Sequence, residues 1–198
     1  MLPKRLGVKY FVDPSVEVDL AKYVPIYQRW IQREWVEGLL IDVANYDHVY
    51  HGPGVILIGD EADYAMDMRE GRPGLLYTRK RQLMDTLAQE LDRDARLALI
   101  AVQKLLGEPT LQGISFDLSE VQLYFFDRLA LPNTPDTFSA LTSELQAFAD
   151  RVYPGAQVAL ESVSSDTREP FTVRLKANGT FDVETLLANI DSTEAIAE

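Results

Sequence analysis

Any fold of this chain has to accommodate one long helical stripe, between residues 81 and 106. Apolar side chains recur in this segment at spacings of three and four residues, which is typical of a helix that buries one face. Gly107 and Pro109 follow, and both residue types commonly end helices. At ~1.5 Å per residue, such a helix would cross a whole small domain. The sequence therefore predicts one long central helix over about residues 81–106.

Short strand-like segments lie on both sides of this helix and are separated by turn-forming residues. They cover residues 6–12, 39–44, 55–58, 64–68, 75–78, 114–117, 121–127, 158–161 and 171–176. Shorter helical stripes cover about 20–31, 141–152 and 183–189. This order predicts the α+β class, with helices packed on the faces of a mixed β-sheet. A parallel pairing of the strands 6–12 and 39–44 is expected, and a hairpin over 114–127.

The length of 198 residues suits one domain with a sizeable core, or two small ones. We predict a single α+β domain over 1–198; two lobes, 1–107 and 112–190, are the alternative. The second half repeats the element order of the first without repeating its residues. Residues 191–198 are predicted to form a frayed acidic tail, which would otherwise be a docking segment for a basic partner.

Charge and composition exclude several classes of function. The net charge is −12, and residues 108–198 carry 15 acids against five bases. Such a surface repels phosphate backbones, so we expect no nucleic-acid partner. No run of eighteen apolar residues occurs, so no membrane span is expected. The chain has no cysteine, which excludes disulfides and thiolate chemistry and suits a cytoplasmic location.

The segment 46–82 combines polar chemistry with chain-bending residues more densely than any other. It contains both histidines, His48 and His51, at H-x-x-H spacing, with Asp42 a few residues earlier. Imidazoles and carboxylates of this kind bind transition metals. However, the glycines that follow favour a loop, and the glutamate of H-E-x-x-H is missing. We therefore predict no metal site and no cofactor, with Asp42, His48 and His51 kept as candidate ligand-binding residues.

Four cations in the same segment form the better candidate for an anion site. Arg72 follows a glycine, and Arg79, Lys80 and Arg81 precede the long helix. A helix N-terminus already carries partial positive charge, so cations there need a negative partner. That partner is either a bound anion or acidic protein, or the acids of the neighbouring turns. The second alternative would make the cluster a salt-bridge network.

Several motifs resemble a family of uncharacterised bacterial proteins that is often met in phototrophs. They are Ile41–Tyr46, His48–Gly54 and Gly74–Arg81, and the segment Pro25–Ile31 is similar to the first helix of that family. The likeness covers roughly residues 6–110. It implies a soluble bacterial protein of unknown function and carries over no catalytic residue.

These observations favour a non-enzymatic binding or assembly protein that uses the 46–82 region as its contact surface. The reason is that the chain lacks a recognisable catalytic motif beside an elaborate loop region. The expected partner is another protein or a small anionic ligand, and a homo-oligomer is left open. The alternative is an enzyme or sensor that binds a small anion or a metal through Asp42, the histidines and the arginines.

Overall fold

The computed structural model describes residues 3–194 and confirms the α+β class. Within these residues, eight strands form one sheet and four α-helices pack on it. The strands are β1 (Leu6–Val12), β2 (Leu40–Tyr46), β3 (Gly54–Gly59), β4 (Ala62–Asp67), β5 (Gly74–Arg79), β6 (Phe116–Phe125), β7 (Val158–Ser162) and β8 (Phe171–Ala177). The helices are α1 (Tyr23–Arg33), α2 (Leu87–Leu106), α3 (Pro135–Val152) and α4 (Val183–Glu194).

The strand order is β2-β3-β4-β5-β1-β6-β8-β7, and each neighbouring pair is antiparallel. The expectation of a mixed sheet with β1 parallel to β2 is therefore wrong. These two strands do not pair, because three other strands lie between them. The reason is local, because connections of only two to seven residues join β2 to β3, β3 to β4 and β4 to β5. Such connections are too short for the crossover that a parallel pairing needs. This meander returns β5 to the side of β1.

The predicted hairpin over 114–127 is also wrong, because a single long strand, β6, covers most of it. The register between β1 and β6 shifts where Tyr10 pairs with Val121 but Phe11 pairs with Asp117. The intervening residues form a bulge, in which Asp117 Oδ1 accepts hydrogen bonds from the backbone and hydroxyl of Ser119. A bulge inserts residues without reversing the strand, and this local polarity resembles a turn in the sequence.

One face of the sheet and all four helices share a single apolar core. The predicted long helix corresponds to α2, which packs on the central strands β1 and β5. It is not a single dominant helix, because α3 has 18 residues against the 20 of α2. Helix α2 begins at Leu87, six residues later than predicted, because Thr86 caps it by accepting a hydrogen bond from Gln89 N at 3.2 Å. Just before the cap, Gln82 has a left-handed φ of 54°, which interrupts helical geometry.

The opposite face of the sheet, called here the outer face, is not covered by a helix in residues 3–194. It has a small apolar cluster of its own, formed by Ala65, Leu76 and Tyr124. Yet polar outer-face side chains such as Lys9 and Gln122 are fully buried. The covering is supplied by the turn between β4 and β5, which includes the short 3₁₀ segment Arg69–Gly71.

Element order repeats across the centre of the sheet, as the sequence suggests. In the first half, α1 leads from β1 to the edge strand β2, and β3, β4 and β5 then lead back to the side of β1. In the second half, α3 leads from β6 to the edge strand β7, and β8 leads back to the side of β6. The central strands β1 and β6 pair with each other, so residues from 1–107 and from 112–190 contribute to one sheet. Helix α4 continues to Glu194, and the end of the predicted acidic tail, 195–198, lies outside the described residues.

The core contains a tyrosine whose hydroxyl group has no hydrogen-bonding partner among the described residues. Tyr10 is fully buried on β1, and its hydroxyl is unpaired. Removing an unsatisfied buried polar atom recovers its desolvation cost. We expect Tyr10→Phe to raise the free energy of unfolding by about 1 kcal/mol, measured by urea denaturation.

Tyr153→Phe is the matched control, because the hydroxyl of Tyr153 donates to Leu118 O at 3.0 Å in an equally buried position. It should lower the free energy of unfolding by about 1 kcal/mol. Equal losses in the two variants would show that Tyr10 does have a partner.

Candidate functional site

The predicted ligand-binding residues do not converge on one place. Asp42 is exposed on edge strand β2, and its Oδ1 accepts a hydrogen bond from Val43 N at 2.7 Å. His48 and His51 lie in the loop between β2 and β3, and the side chain of His48 is 73% exposed. The ring of His51 stacks on Tyr50 at 3.9 Å between centroids. The two histidines therefore belong to an exposed aromatic loop.

Three of the four predicted cations form ion pairs within the protein. Arg72 pairs with Glu120 at 2.6 Å, Lys80 with Asp63 at 2.7 Å, and Arg81 with Asp60 at 2.5 Å. These last two acids lie on the neighbouring β3–β4 hairpin. Because α2 begins only at Leu87, the cations are not in its first turn, and the helix terminus does not concentrate positive charge on them.

Arg79, the fourth cation, points to the helix-covered side of the sheet. Its Nη1 donates to the hydroxyl of Tyr77 at 3.1 Å, and its Nη2 donates to Gln82 O. Nearby on α2, burial raises the pKa of Asp94 well above its ordinary value, and the adjacent Glu90 carboxylate adds to this rise. The folded state thus favours a protonated Asp94, and this cluster lies in the core.

The structure places a different set of charges together, on the outer face. Its centre is a fully buried ion pair in which Lys9 Nζ donates to Asp67 Oδ2 at 2.7 Å. Burial lowers the pKa of Lys9, and the attraction of Asp67 acts in the opposite direction. Asp67 Oδ1 also accepts a hydrogen bond from Arg69 Nε at 2.6 Å.

A second group lies beside this pair on β6 and β8. Arg174 contacts Glu120 at 3.0 Å and donates through Nε and Nη2 to Gln122 Oε1. Gln122 Nε2 donates to Glu70 Oε1 at 2.9 Å and to the hydroxyl of Tyr124 at 2.7 Å. We call the whole set the outer-face network: Lys9, Asp67, Arg69, Glu70, Arg72, Glu120, Gln122, Tyr124 and Arg174.

The turn residues Arg69 to Arg72 cover this network. The guanidinium of Arg72 lies 3.8 Å from the ring centroid of Phe11, and that of Arg69 lies 5.9 Å from the ring of Tyr124. Such cation–π contacts hold a turn on a sheet while its charges stay at the surface. The turn therefore excludes water from a face that lacks a helix.

Of the candidate ligand-binding residues predicted from the sequence, only Arg72 belongs to this network. A usable signal is the polar residue at an alternate position of an otherwise apolar strand, as for Lys9 in β1 and Gln122 in β6. Period-two alternation assigns such residues to the face opposite the core. This pattern does not show which strands lie side by side in the sheet.

Exposed apolar side chains concentrate at one edge of the sheet. Eight large hydrophobic residues are exposed in the part of the chain that is described, and five of them fall within twelve positions. Tyr50 is 87% exposed and Leu39 is 65% exposed. We call this group the edge patch: Leu39, Ile41, Tyr46, Val49 and Tyr50.

Other features of the surface are less informative. A cleft of about 500 Å³ lies between the start of α3 and the segment after β7, lined by residues that include Thr134, Phe138 and Ser164. It contains none of the predicted site residues. In residues 3–194, no group of three or more histidine and acidic side chains is arranged to hold a metal ion. Nor is any of the described helices both long and apolar enough to cross a bilayer.

Comparison with known proteins does not indicate what this arrangement of residues does. The resemblance to the phototroph-associated family stays a prediction. No family model, curated protein or solved structure matches the chain.

Proposed function

We propose that this protein is a non-enzymatic binding protein that contacts a protein partner through the edge patch, which includes the first residues of the 46–82 region. The observation that carries this proposal is the concentration of five exposed hydrophobic side chains at edge strand β2 and its following loop. Apolar surface in water costs roughly 25 cal/mol per Å². Exposed apolar groups that cluster, unlike scattered ones, are typical of interaction sites.

The chemistry of the patch suits a protein interface. Tyr46 stacks on His48 and Tyr50 stacks on His51, so each tyrosine ring has an aromatic neighbour on one side. Aromatic anchors that are already ordered lose little conformational entropy on binding. Tyrosine is also among the residues that contribute most to interface energies.

Charge favours a basic partner over a second copy of this chain. Asp42 and Asp47 flank the patch, and the whole chain has a net charge of −12. Two copies would bring the same acids together, whereas a basic surface would be attracted. A charged residue on an edge strand such as β2 also discourages pairing with an identical edge.

Photo-crosslinking at position 50 tests this proposal. Tyr50 is replaced by benzoylphenylalanine, and the protein is irradiated in lysate of the native cell. We expect one discrete adduct with another protein, lost when Tyr46 and Val49 are both changed to serine. The same probe at Leu129, which is 99% exposed and isolated, is the control. An adduct with the mass of two copies, or equal labelling from both positions, contradicts the proposal.

With the crosslinked partner purified, Tyr50→Ala should weaken its binding about 30-fold, as expected for an anchoring aromatic residue. Leu129→Ala should change the Kd less than twofold. Isothermal titration calorimetry measures both. An unchanged Kd in Tyr50→Ala would place the contact elsewhere on the protein.

The alternative, a sensor or enzyme for a small anion, has its support in the cations of the outer-face network. The metal-binding form of that alternative has no comparable observation behind it. A cytoplasmic location and kinship with the bacterial family remain part of the proposal, the first supported by the absence of cysteine.

A further inference from the structure

We propose that Gln122, Tyr124 and Arg174 form an oxyanion-binding cup on the outer face, and that the carboxylate of Glu70 occupies it as a tethered ligand. The ligands it would take are small carboxylates or inorganic phosphate. The cup lies on β6 and β8, and it makes no use of the edge patch.

Three donors surround the Glu70 carboxylate. Gln122 Nε2 lies 2.9 Å from Oε1, the hydroxyl of Tyr124 lies 3.4 Å from Oε1, and Arg174 Nη2 lies 3.4 Å from Oε2. An amide, a hydroxyl and a guanidinium are all able to donate to an oxyanion. The set is therefore complementary to a carboxylate by its chemistry and its placement.

The cup is held in place by the sheet, independently of Glu70. Arg174 donates to Gln122 Oε1 at 3.2 Å from Nε and at 2.9 Å from Nη2. Because Oε1 is taken as an acceptor, the NH₂ group of Gln122 has to face Glu70 and Tyr124. Gln122 is fully buried, and Arg174 is anchored further by Glu120 at 3.0 Å. These donors are pre-organised for a ligand.

The turn that brings Glu70 into the cup is in an unfavourable conformation. Glu70 has φ 63° and ψ 11°, in the left-handed region, and Gly71 follows with φ 66°. A residue with a side chain occupies that region only where its surroundings compensate. The contacts of the carboxylate contribute to that compensation, and the contacts of Arg69 and Arg72 hold the same turn on the sheet.

Charge in the network favours an anion once Glu70 is absent. The network contains four cations, Lys9, Arg69, Arg72 and Arg174, and three carboxylates, Asp67, Glu70 and Glu120. Without Glu70, four cations face two carboxylates. Since the rest of the chain is strongly acidic, this local positive excess is unusual for the protein, and an incoming oxyanion would replace the missing charge.

The test is thermal unfolding of Glu70→Gly with sodium acetate or sodium phosphate, at an ionic strength matched with sodium chloride. Glycine removes the carboxylate and accepts a positive φ, so the variant should stay folded. We expect a saturable rise in Tm of about 3–6 °C at tenfold the Kd for at least one of the two anions. The wild type should show no such rise, because its own carboxylate competes.

Two further variants make the result specific. Gln122→Glu added to Glu70→Gly replaces the donating NH₂ with a carboxylate and should abolish the rise. Glu169→Ala removes an exposed carboxylate elsewhere and should behave as the wild type. A response to acetate alone assigns the cup to carboxylates, and a response to phosphate alone assigns it to phosphate.

A direct measurement accompanies the unfolding data. The side-chain NH₂ resonances of Gln122 should shift with acetate or phosphate in Glu70→Gly, and in Glu70→Asn, which also tolerates a left-handed φ. The proposal of an oxyanion-binding cup would be contradicted if the anions gave the same rise in Tm in the wild type, in Glu169→Ala and in the variant with Gln122→Glu. Unmoved Gln122 resonances would contradict it as well. Tyr50→Ala should leave the titration unchanged, so failure here is distinct from failure at the edge patch.

Discussion

Above pH 10 the protein is expected to unfold cooperatively, because seven of its nine tyrosines are buried and have to keep their protons in the folded state. Burial raises the pKa of each of these ring hydroxyls above its ordinary value. They are Tyr10, Tyr23, Tyr27, Tyr64, Tyr77, Tyr124 and Tyr153.

The direction of the effect follows from proton linkage. In the unfolded chain a tyrosine loses its proton near pH 10, whereas the folded state retains it because the pKa is raised. The stability these groups contribute is therefore complete below pH 10 and is lost as pH rises. Seven such groups lower the free energy of unfolding by about 10 kcal/mol per pH unit above 10. A typical total is about 5–15 kcal/mol, so unfolding should be complete by roughly pH 11.5.

One buried group acts in the opposite direction. Burial lowers the pKa of Lys9, so the folded state releases that proton more readily than the unfolded chain and gains stability as pH rises towards 10.5. A single lysine offsets at most a small part of the effect of seven tyrosines.

Far-ultraviolet circular dichroism and tyrosinate absorbance, followed together from pH 9 to 12, measure this transition. We expect the two signals to change over the same narrow interval. Tyr10→Phe should move the midpoint up by about 0.2–0.3 pH unit, because it removes one buried ionisable hydroxyl and adds about 1 kcal/mol of stability. Tyr50→Phe, at an exposed position, should not move it. Tyrosinate that forms while the dichroism remains native would contradict the prediction.

The second large effect is expected from Asp67→Asn, which should lower the free energy of unfolding by about 3–5 kcal/mol. Lys9 and Asp67 are both fully buried, and the Asp67 carboxylate, 2.7 Å away, balances the positive charge of the Lys9 ammonium group. Asparagine keeps the shape of the side chain but not its charge. The ammonium group then has to stay charged in the protein interior or lose its proton, and either event costs stability.

Two comparisons separate this effect from a general loss of charge. Asp60→Asn breaks the pair with Arg81, whose side chain is 66% exposed, and should cost less than about 1 kcal/mol. The double variant Lys9→Met with Asp67→Leu should recover most of the loss, because it leaves no buried charge without a partner in this pair. Urea denaturation measures all three. A loss in Asp67→Asn no larger than in Asp60→Asn would mean that water already reaches the pair.

Local sequence signals predicted the elements of the fold well. The stripe predicted over 141–152 lies within α3, which starts at Pro135 after the capping residue Thr134, and Gly107 follows the last residue of α2 as predicted. The start of α2 was missed because Thr86 and the left-handed Gln82 outweigh the apolar stripe that begins at Leu83. The candidate site was predicted less well, since only Arg72 of the seven named residues belongs to the outer-face network.

By itself, the sequence determined the α+β class, most of the strands and helix ends, the acidic surface and the absence of thiol chemistry, because each depends on neighbouring residues or on composition. Only the tertiary structure decided that the meander returns β5 to the side of β1 and that β6 lies on its other side. That order joins Lys9 to Asp67, 58 residues away, and Glu70 to Arg174, 104 residues away. The physical reason is that period-two alternation assigns a side chain to a face, whereas its partner on that face depends on long-range strand order and register.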